Sequence, residues 1–337
     1  MAIEITATGS YVPEKIVTND DLSKIVETSD EWIRSHTGIS TRHIARDDEA
    51  TSDLAYEAAM SVLRAADPED PGRAAAGIDL VVVSTASPDY PGFPSVACIV
   101  QNRIGAKNAA AMDLTAGCTG FIYALETAAG MMTAGGRKRA LVIGADTLSR
   151  ITDWTDRNTC VLFGDGAGAV LLESTDAPSS GPGKRGIIRS ILGADGSGFE
   201  YLMLRRGGTR EPFKKGEVVE RPAYIEMDGP AVYLFAVNAV ATTIKKFLDS
   251  EGLSMDQIAR IVPHQANERI ISAAAKRLGV SMDKFFLNIG KYANTSTASV
   301  PIALNELAHE GSLKKGDIIM TIGFGAGLTY GGNLIVW

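Results

Sequence analysis

The sequence predicts an α/β protein made of two similar halves, with five alternating layers of helices and sheets. Short runs of buried-type apolar residues alternate with segments whose apolar residues recur at helical spacing. The same order of elements then occurs a second time along the chain, which indicates two sheets that sandwich helices, with further helices outside. We therefore expect one half at residues 1–175 and the other at residues 176–337.

The first half begins with a predicted strand at Ile3–Ser10. Two polar runs that start at Thr18 and Thr28 are typical of helix N-caps and predict two short helices. Pro94 falls in the first turn of the predicted helix Phe93–Arg103, a position at which helices tolerate proline. The remaining predicted elements are the helices Ala55–Ala66 and Phe93–Arg103, the strands Leu80–Ser84, Met112–Thr115 and Ala140–Gly144, and a strand that follows a glycine-rich turn at Phe163 and reaches Glu173.

The second half repeats this order. Gly144 matches Gly323 and Ala124 matches Ala303, and the spacing from 144 to 323 and from 124 to 303 is 179 residues in both cases. The predicted strands are Ile187–Leu192, Ile258–Val262, Phe285–Asn288, Ile318–Ile322 and Asn333–Trp337, and the predicted helices are Ala231–Leu248, Arg269–Leu278 and Ile302–Glu310.

Composition excludes several classes of protein. The net charge of −7 argues against a general binder of nucleic acid or anionic membranes. The three cysteines are far apart and lack CxxC spacing, so neither a disulfide framework nor a zinc site is indicated, and a reducing compartment fits. The N-terminus has no signal-peptide pattern, and no uncharged apolar run approaches membrane-spanning length. We expect a cytoplasmic protein with no metal.

Cys118 lies at the centre of the stretch Asp113–Phe121, between a predicted strand and a predicted helix. Gly117 and Gly120 allow a sharp turn and a close approach to a ligand. A helix N-terminus offers free N–H groups and partial positive charge, which favour thiolate over thiol. The pattern predicts an activated nucleophile, and the alternative is a buried cysteine that packs as a small apolar residue.

His264 and Asn294 also follow predicted strands, so we expect both to reach the same cleft as Cys118. A thiolate can take an acyl group from a thioester, and two hydrogen-bond donors can hold a second carbonyl oxygen while negative charge develops on it. Taken singly, His264 could be structural and Asn294 a turn or capping residue.

These motifs together resemble the β-ketoacyl-acyl-carrier-protein synthase III family, the condensing enzymes that start type II fatty-acid synthesis. The resemblance runs from Ile3 to Trp337 and rests on these segments: Thr28-Ser-Asp-Glu-Trp-Ile33, Ala116-Gly-Cys-Thr-Gly-Phe121, Thr155-Asp-Arg157, Phe163-Gly-Asp-Gly-Ala-Gly168, Pro263-His-Gln-Ala-Asn267, Asn294-Thr-Ser296 and Gly323-Phe-Gly-Ala-Gly327. It implies the thiolase-like, duplicated αβαβα five-layer sandwich, with Cys in the first half and His and Asn in the second. Degradative thiolases carry a second cysteine in the last of these loops, and elongating synthases carry a second histidine in place of Asn294.

The resemblance implies a two-step reaction with acyl-CoA and malonyl-acyl-carrier protein as substrates and no cofactor. Cys118 takes the acyl group and releases CoA. Malonyl-carrier protein then loses CO2, and His264 and Asn294 stabilise the enolate that attacks the acyl-cysteine. The N–H groups of Cys118 and Ala326 form the oxyanion hole, with Ala326 in place of the family's usual glycine.

The resemblance also assigns CoA-binding residues. Trp32 and Arg157 flank the adenine, where an aromatic face and a guanidinium plane can both stack. His36 stands where family members often have arginine, so weaker CoA binding is expected. The other CoA-binding residues are Thr28, Gly229 and Asn267.

Four residues are expected to bound the acyl chain, namely Phe93, Leu148, Leu162 and Phe163. Phe93 is expected to reach into the pocket of a partner subunit, which implies a homodimer. Phe163 is expected beside the thiol, where it excludes water, and its alternative role is that of a core aromatic.

Arg269, Lys276 and Arg277 are expected to meet the acidic carrier protein. The alternative for each is an ordinary solvated charge, and Leu234 replaces a lysine of the family in this region. Two other functions stay open: a related condensing or acyl-transferring enzyme of secondary metabolism, and a non-catalytic scaffold, against which the intact Cys118, His264 and Asn294 argue.

Overall fold

The structure, a computed structural model, describes residues 1–216 and 223–337. Its strands are β1 (Ala2–Tyr11), β2 (Lys15–Thr18), β3 (Thr41–Ile44), β4 (Leu80–Ser84), β5 (Ala110–Leu114), β6 (Arg139–Asp146), β7 (Gly166–Thr175), β8 (Gly186–Ala194), β9 (Leu202–Leu204), β10 (Ile225–Met227), β11 (Ile258–Pro263), β12 (Ile318–Gly325) and β13 (Thr329–Val336). Its α-helices are α1 (Asn19–Leu22), α2 (Asp30–Thr37), α3 (Thr51–Ala66), α4 (Pro71–Ala76), α5 (Val96–Ile104), α6 (Gly120–Gly135), α7 (Arg157–Cys160), α8 (Gly229–Glu251), α9 (Glu268–Leu278), α10 (Ile289–Tyr292) and α11 (Ser299–His309).

Two sheets carry the fold, and their strands follow the same plan. The first has the order β1-β7-β6-β4-β5 and the second the order β11-β12-β13-β8. In each sheet the first strand of the half pairs antiparallel with the last, and two other strands pair in parallel, β4 with β6 in the first sheet and β11 with β12 in the second. The predicted α/β class and the repeated order of elements are therefore confirmed.

Five layers result from this arrangement. Helices α6 and α11 lie between the sheets, where their apolar residues share one buried core with both sheets. Helices α3 and α5 cover the outer face of the first sheet, and α8 and α9 cover that of the second. This is the predicted αβαβα sandwich. We propose residues 1–175 and 176–337 as its two halves.

The spacing of 179 residues holds in three dimensions at the centre of the molecule. Strand β6 begins at Arg139 and β12 at Ile318, and α6 begins at Gly120 and α11 at Ser299. One short 3₁₀ turn precedes each of these helices, at residues 117–119 and 296–298. The two turns are therefore equivalent parts of the repeat, and they meet at the site described below.

Glycine allows close approach at this centre, between the halves at Gly144 and within the first half at Gly120. A Cβ on Gly144 would lie 2.6 Å from the carbonyl oxygen of Thr297, and one on Gly120 would lie 1.8 Å from the Ser84 hydroxyl. Neither position has room for a side chain, so both glycines are required by packing rather than by backbone dihedrals.

The start of one predicted helix and the whole of one predicted strand were wrong. Phe93 and Pro94 lie outside helix α5, because Ser95 is its N-cap and the Asp113 carboxylate accepts the first N–H groups, from Val96 and Ala97. Residues 285–288 do not form a strand. Phe285 makes a single bridge to β11 before the chain turns into α10, so the second sheet has no full counterpart of β5.

Helix α8 is long and apolar enough, by length and composition, to cross a membrane, and it is the one such helix in the described residues. One face of it is built into the second sheet's core through Ala236, Val240, Ile244 and Phe247. Its apolar character therefore has a structural explanation as packing against β12 and β13.

Candidate active site

Cys118 lies in the 3₁₀ turn between β5 and α6, and its thiol is buried. The hydroxyl of Ser296 donates a hydrogen bond to its Sγ atom at 3.4 Å. The loop after β12 presses against it from the other half, since a Cβ on Gly325 would lie 2.8 Å from the Cys118 backbone nitrogen. The nucleophile therefore lies where the two halves meet.

The charge state of this thiol depends mainly on its burial. The pKa of the Cys118 thiol is raised to about 12, mainly by burial; the hydrogen bond from Ser296 acts to lower it, and the nearby Asp146 charge acts to raise it. Desolvation disfavours the thiolate more strongly than the Ser296 hydroxyl favours it. This raised pKa favours the neutral thiol at neutral pH, and the role of Cys118 as the activated nucleophile stays a prediction.

His264 follows β11 and is buried against the ring of Phe324, edge to face with 5.1 Å between ring centroids. Its Nδ1 is hydrogen-bonded to the Ser299 hydroxyl at 2.6 Å. Burial lowers the pKa of His264 to about 3, so the imidazole is neutral at physiological pH.

Asn294 is held by the same turn that carries Ser296. Its Oδ1 accepts the backbone N–H of Ser296 at 2.8 Å, which fixes the orientation of the amide. The backbone of Asn294 pairs with the segment around Phe163. The Asn294 N–H donates to the Leu162 carbonyl at 2.9 Å, and the Asn294 carbonyl accepts the Gly164 N–H at 3.0 Å. No hydrogen bond among the described residues uses the amide nitrogen, so it can donate to a ligand.

One cavity of about 690 Å³ brings these three side chains together. Cys118, His264 and Asn294 all line it, and most of the rest of its wall is apolar. It also contains these predicted CoA-binding and acyl-pocket residues: Trp32, Arg157, Gly229, Asn267, Leu162 and Phe163. A neutral thiol beside two neutral donors in such a pocket suits chemistry in which charge appears only during reaction.

A smaller cavity of about 90 Å³ lies on another side of Cys118. Leu148, Phe163, Ser296 and Ala326 contribute to its wall. A Cβ on Gly117 would lie 3.0 Å from the Ala326 backbone nitrogen, so the two loops that carry the predicted oxyanion-hole N–H groups are in contact. Cys118 thus stands between a large cavity and a small apolar one.

Comparison with known proteins identifies the family. Residues 112–196 match the model described as 3-oxoacyl-[acyl-carrier-protein] synthase III, and residues 248–337 match its C-terminal part. The β-ketoacyl-[acyl-carrier-protein] synthase III of Clostridium acetobutylicum is 50% identical over 100% of this chain and 99% of its own. The enzyme of the same name from Caldanaerobacter subterraneus is 49% identical over 100% of this chain and 98% of its own. The crystal structure of the enzyme from Aquifex aeolicus superposes with a TM-score of 0.88 at 40% identity and covers 100% of both chains.

The chain belongs to the β-ketoacyl-acyl-carrier-protein synthase III family. It is therefore an acyltransferase-type condensing enzyme with the thiolase-like fold. The two most similar relatives described above both carry the synthase III name, so the alternative in secondary metabolism is not favoured.

The mouth of the large cavity carries a stack of three side chains. The guanidinium of Arg157 lies over the Trp32 ring at 4.1 Å, and the His36 ring stacks on the same indole at 4.4 Å. Thr28 does not line the cavity. Its hydroxyl and the Arg157 Nε are both buried, and neither has a hydrogen-bond partner within residues 1–216 and 223–337. Asn267 caps α9 and donates to the His36 carbonyl at 3.1 Å, which ties α9 to α2.

Other predicted residues are not brought to these cavities. Phe93 is 87% exposed and lines neither. Arg269 lines the large cavity, whereas Lys276 and Arg277 lie in the last turn of α9, about 10 Å further along the helix axis. Leu234 is 65% exposed on α8.

Sequence reasoning missed three polar residues around the nucleophile. Ser296 is hydrogen-bonded to Cys118, and Ser299 is hydrogen-bonded to His264. Asp146 is a buried carboxylate that accepts hydrogen bonds from the Thr85 and Ser87 hydroxyls. The signal that could have found the serines is the repeat, because 296 and 299 are 179 residues after 117 and 120, which flank Cys118. In residues 1–216 and 223–337, no group of three or more His, Cys, Asp or Glu is placed to hold a metal ion.

Proposed function

We propose that this chain condenses an acyl-CoA primer with malonyl-acyl-carrier protein, with loss of CO2, to give 3-oxoacyl-acyl-carrier protein and so starts type II fatty-acid synthesis. The observation that carries the proposal is the position of Cys118, which lies between a small apolar cavity and a larger one that also contains His264 and Asn294. A short acyl chain fits the former, and a thioester arm fits the latter.

In the first step the Cys118 sulfur attacks the thioester carbonyl, the bond to CoA sulfur breaks, and CoA leaves with the thiol proton. The carbonyl oxygen is held by the N–H groups of Cys118 and Ala326. In the second step the malonyl C–C bond to the carboxylate breaks and CO2 leaves. His264 and Asn294 donate to the enolate oxygen, and the carbanion forms the new C–C bond as the acyl–sulfur bond breaks. The released Cys118 thiolate takes up a proton from solvent.

The CoA and carrier-protein contacts are proposed as follows. Trp32 and Arg157 bind the adenine by stacking, and Gly229 and Asn267 border the arm that reaches Cys118. Thr28 offers an unpaired buried hydroxyl near this region. Arg269 at the cavity, with Lys276 and Arg277 further along α9, presents positive charge to the acidic carrier protein.

We also propose a cytoplasmic homodimer. Strand β5 is the outermost strand of the first sheet and pairs within the chain only with β4 among the described strands. The nearby Tyr90 and Phe93 are 52% and 87% exposed, which fits a surface covered by a second copy. Sedimentation at micromolar concentration should give twice the chain mass, and a monomer would contradict this part.

The reaction is tested by incubation with radiolabelled short acyl-CoAs and then with malonyl-carrier protein. We expect label on the protein, lost in Cys118→Ser because a hydroxyl is far less ionised than a thiol, and kept in the control Cys98→Ser, whose cysteine is exposed. Label should then move to a 3-oxoacyl product. No label with any short acyl-CoA would refute the proposal, and label without product would favour an acyl-transferring relative.

A further inference from the structure

The hydrogen bonds around His264 leave only one arrangement of protons. The Nδ1 atom of His264 and the Ser299 hydroxyl are 2.6 Å apart, and both side chains are buried. The same hydroxyl oxygen receives the backbone N–H of Gln265 at 3.3 Å. Ser299 is the first residue of α11, so its position is fixed by a helix rather than by a loop.

A hydroxyl has one proton to donate and two lone pairs to accept with. The Gln265 N–H can only donate, so it occupies one lone pair of Ser299. Within the hydrogen bonds of the described residues, His264 Nδ1 is the remaining partner of this hydroxyl. If Nδ1 carried the proton, the buried serine O–H would have no acceptor, which costs about 1–3 kcal/mol. The serine O–H therefore donates to Nδ1.

We infer that Ser299 is a positioning residue that holds neutral His264 in the tautomer with its proton on Nε2. Because burial keeps the imidazole neutral, each ring nitrogen has a single role. Nδ1 accepts from Ser299, and Nε2–H is directed to donate. His264 then serves as a hydrogen-bond donor to a substrate oxygen and not as the base that removes the Cys118 proton.

This inference rests on the proposed function only for its kinetic consequence. In the opposite tautomer, a lone pair on Nε2 would face the enolate oxygen and repel its negative charge. Removal of the Ser299 hydroxyl should therefore impair the decarboxylation step, which uses the donor, much more than the acylation of Cys118. The tautomer itself can be measured without any substrate.

The test is nitrogen-15 NMR of chain labelled in its histidine rings, together with the two half-reactions. The chain has only four histidines, so four ring systems are observed and His264→Gln identifies the relevant signals. We compare wild type with Ser299→Ala, which lacks the hydroxyl, and Ser299→Thr, which keeps it. Wild type at pH 7 should show a protonated Nε2 and an unprotonated, hydrogen-bonded Nδ1.

In Ser299→Ala we expect Nδ1–H signal to appear and condensation to fall by about 10- to 100-fold, less than the 10²–10³-fold typical of losing an oxyanion donor outright. Acylation should stay within about threefold, and Ser299→Thr should restore the wild-type spectrum and rate. A proton on Nδ1 in wild type, or an unchanged tautomer in Ser299→Ala, would overturn the inference. If the alanine variant does not fold, the wild-type spectrum alone decides. Failure of wild type to become acylated would refute the proposed function and leave the tautomer result standing.

Discussion

The reactivity of Cys118 provides a quantitative test of the site's electrostatics. Burial raises its thiol pKa from the ordinary 9.0 to about 12, which corresponds to about 4 kcal/mol against the thiolate. Two neighbours act in opposite directions. The Ser296 hydroxyl favours the thiolate by hydrogen bonding, and the Asp146 charge disfavours it. Removing each should therefore move reactivity in opposite directions.

At pH 8 a thiol with a pKa near 12 is about 0.01% ionised. Its alkylation rate should rise about tenfold for each pH unit from 7 to 10 and show no plateau there. Ser296→Ala removes a hydrogen bond worth about 1 kcal/mol and should slow alkylation about fivefold. Asp146→Asn removes a negative charge and should speed it.

The assay is the rate of iodoacetamide addition to Cys118, followed by peptide mass spectrometry. It is run in a Cys98→Ser background, because the exposed Cys98 would otherwise consume reagent. Thermal melts of each variant at pH 8 check that the fold is kept.

A plateau with a midpoint at or below pH 8 in the unliganded protein would refute the reasoning. It would mean that the helix start and nearby donors outweigh the cost of burying the Cys118 thiolate. Faster alkylation in Ser296→Ala would show separately that this hydroxyl does not stabilise the sulfur anion.

The remaining predictions concern His264, Asn294 and the loop at Gly325. Because the His264 pKa is lowered from 6.5 to about 3, the unfolded chain binds a proton between these pH values that the native state does not. The free energy of unfolding in urea should thus fall with decreasing pH by up to about 1.4 kcal/mol per pH unit from this group, a slope that His264→Gln should lack. Asn294→Asp should reduce condensation about 10²–10³-fold while acylation persists, since a carboxylate cannot donate to an enolate; equal loss of both steps would contradict this role. Gly325→Ala should displace Cys118 and reduce acylation about 100-fold, whereas Gly130→Ala, with nothing within 4 Å of its new Cβ, should keep activity.

The fold was largely predictable because matching residues of its two halves are separated by a constant number of residues in the sequence. Strands such as Leu80–Ser84, buried on both faces, need no tertiary information to be identified. The errors came where a long-range contact decides. The Asp113 carboxylate sets the start of α5, and the turn into α10 ends the pairing of Phe285 after one bridge. Neither contact leaves a local pattern.

In the candidate site, too, some features could be predicted from local sequence and others depend on long-range packing. Cys118, His264 and Asn294 line one cavity, as expected, although Asn294 follows α10 rather than the strand predicted at residues 285–288. The charge state of the thiol was not predictable, because desolvation depends on everything packed around it. The role expected of Phe93 in an acyl pocket stays a prediction, since its side chain is 87% exposed and lines neither cavity.

The repeat also explains how the nucleophile acquired its hydroxyl partner. Gly117 and Ser296 are equivalent residues of the two 3₁₀ turns, and their φ angles are +52° and +51°. Glycine adopts this left-handed conformation freely, whereas for serine it costs about 1–2 kcal/mol. In the second turn Ser296 adopts this strained conformation, and its hydroxyl reaches Cys118 Sγ. The hydroxyl and the sulfur occupy equivalent turns of the two proposed halves, so this hydrogen bond joins the halves at the nucleophile.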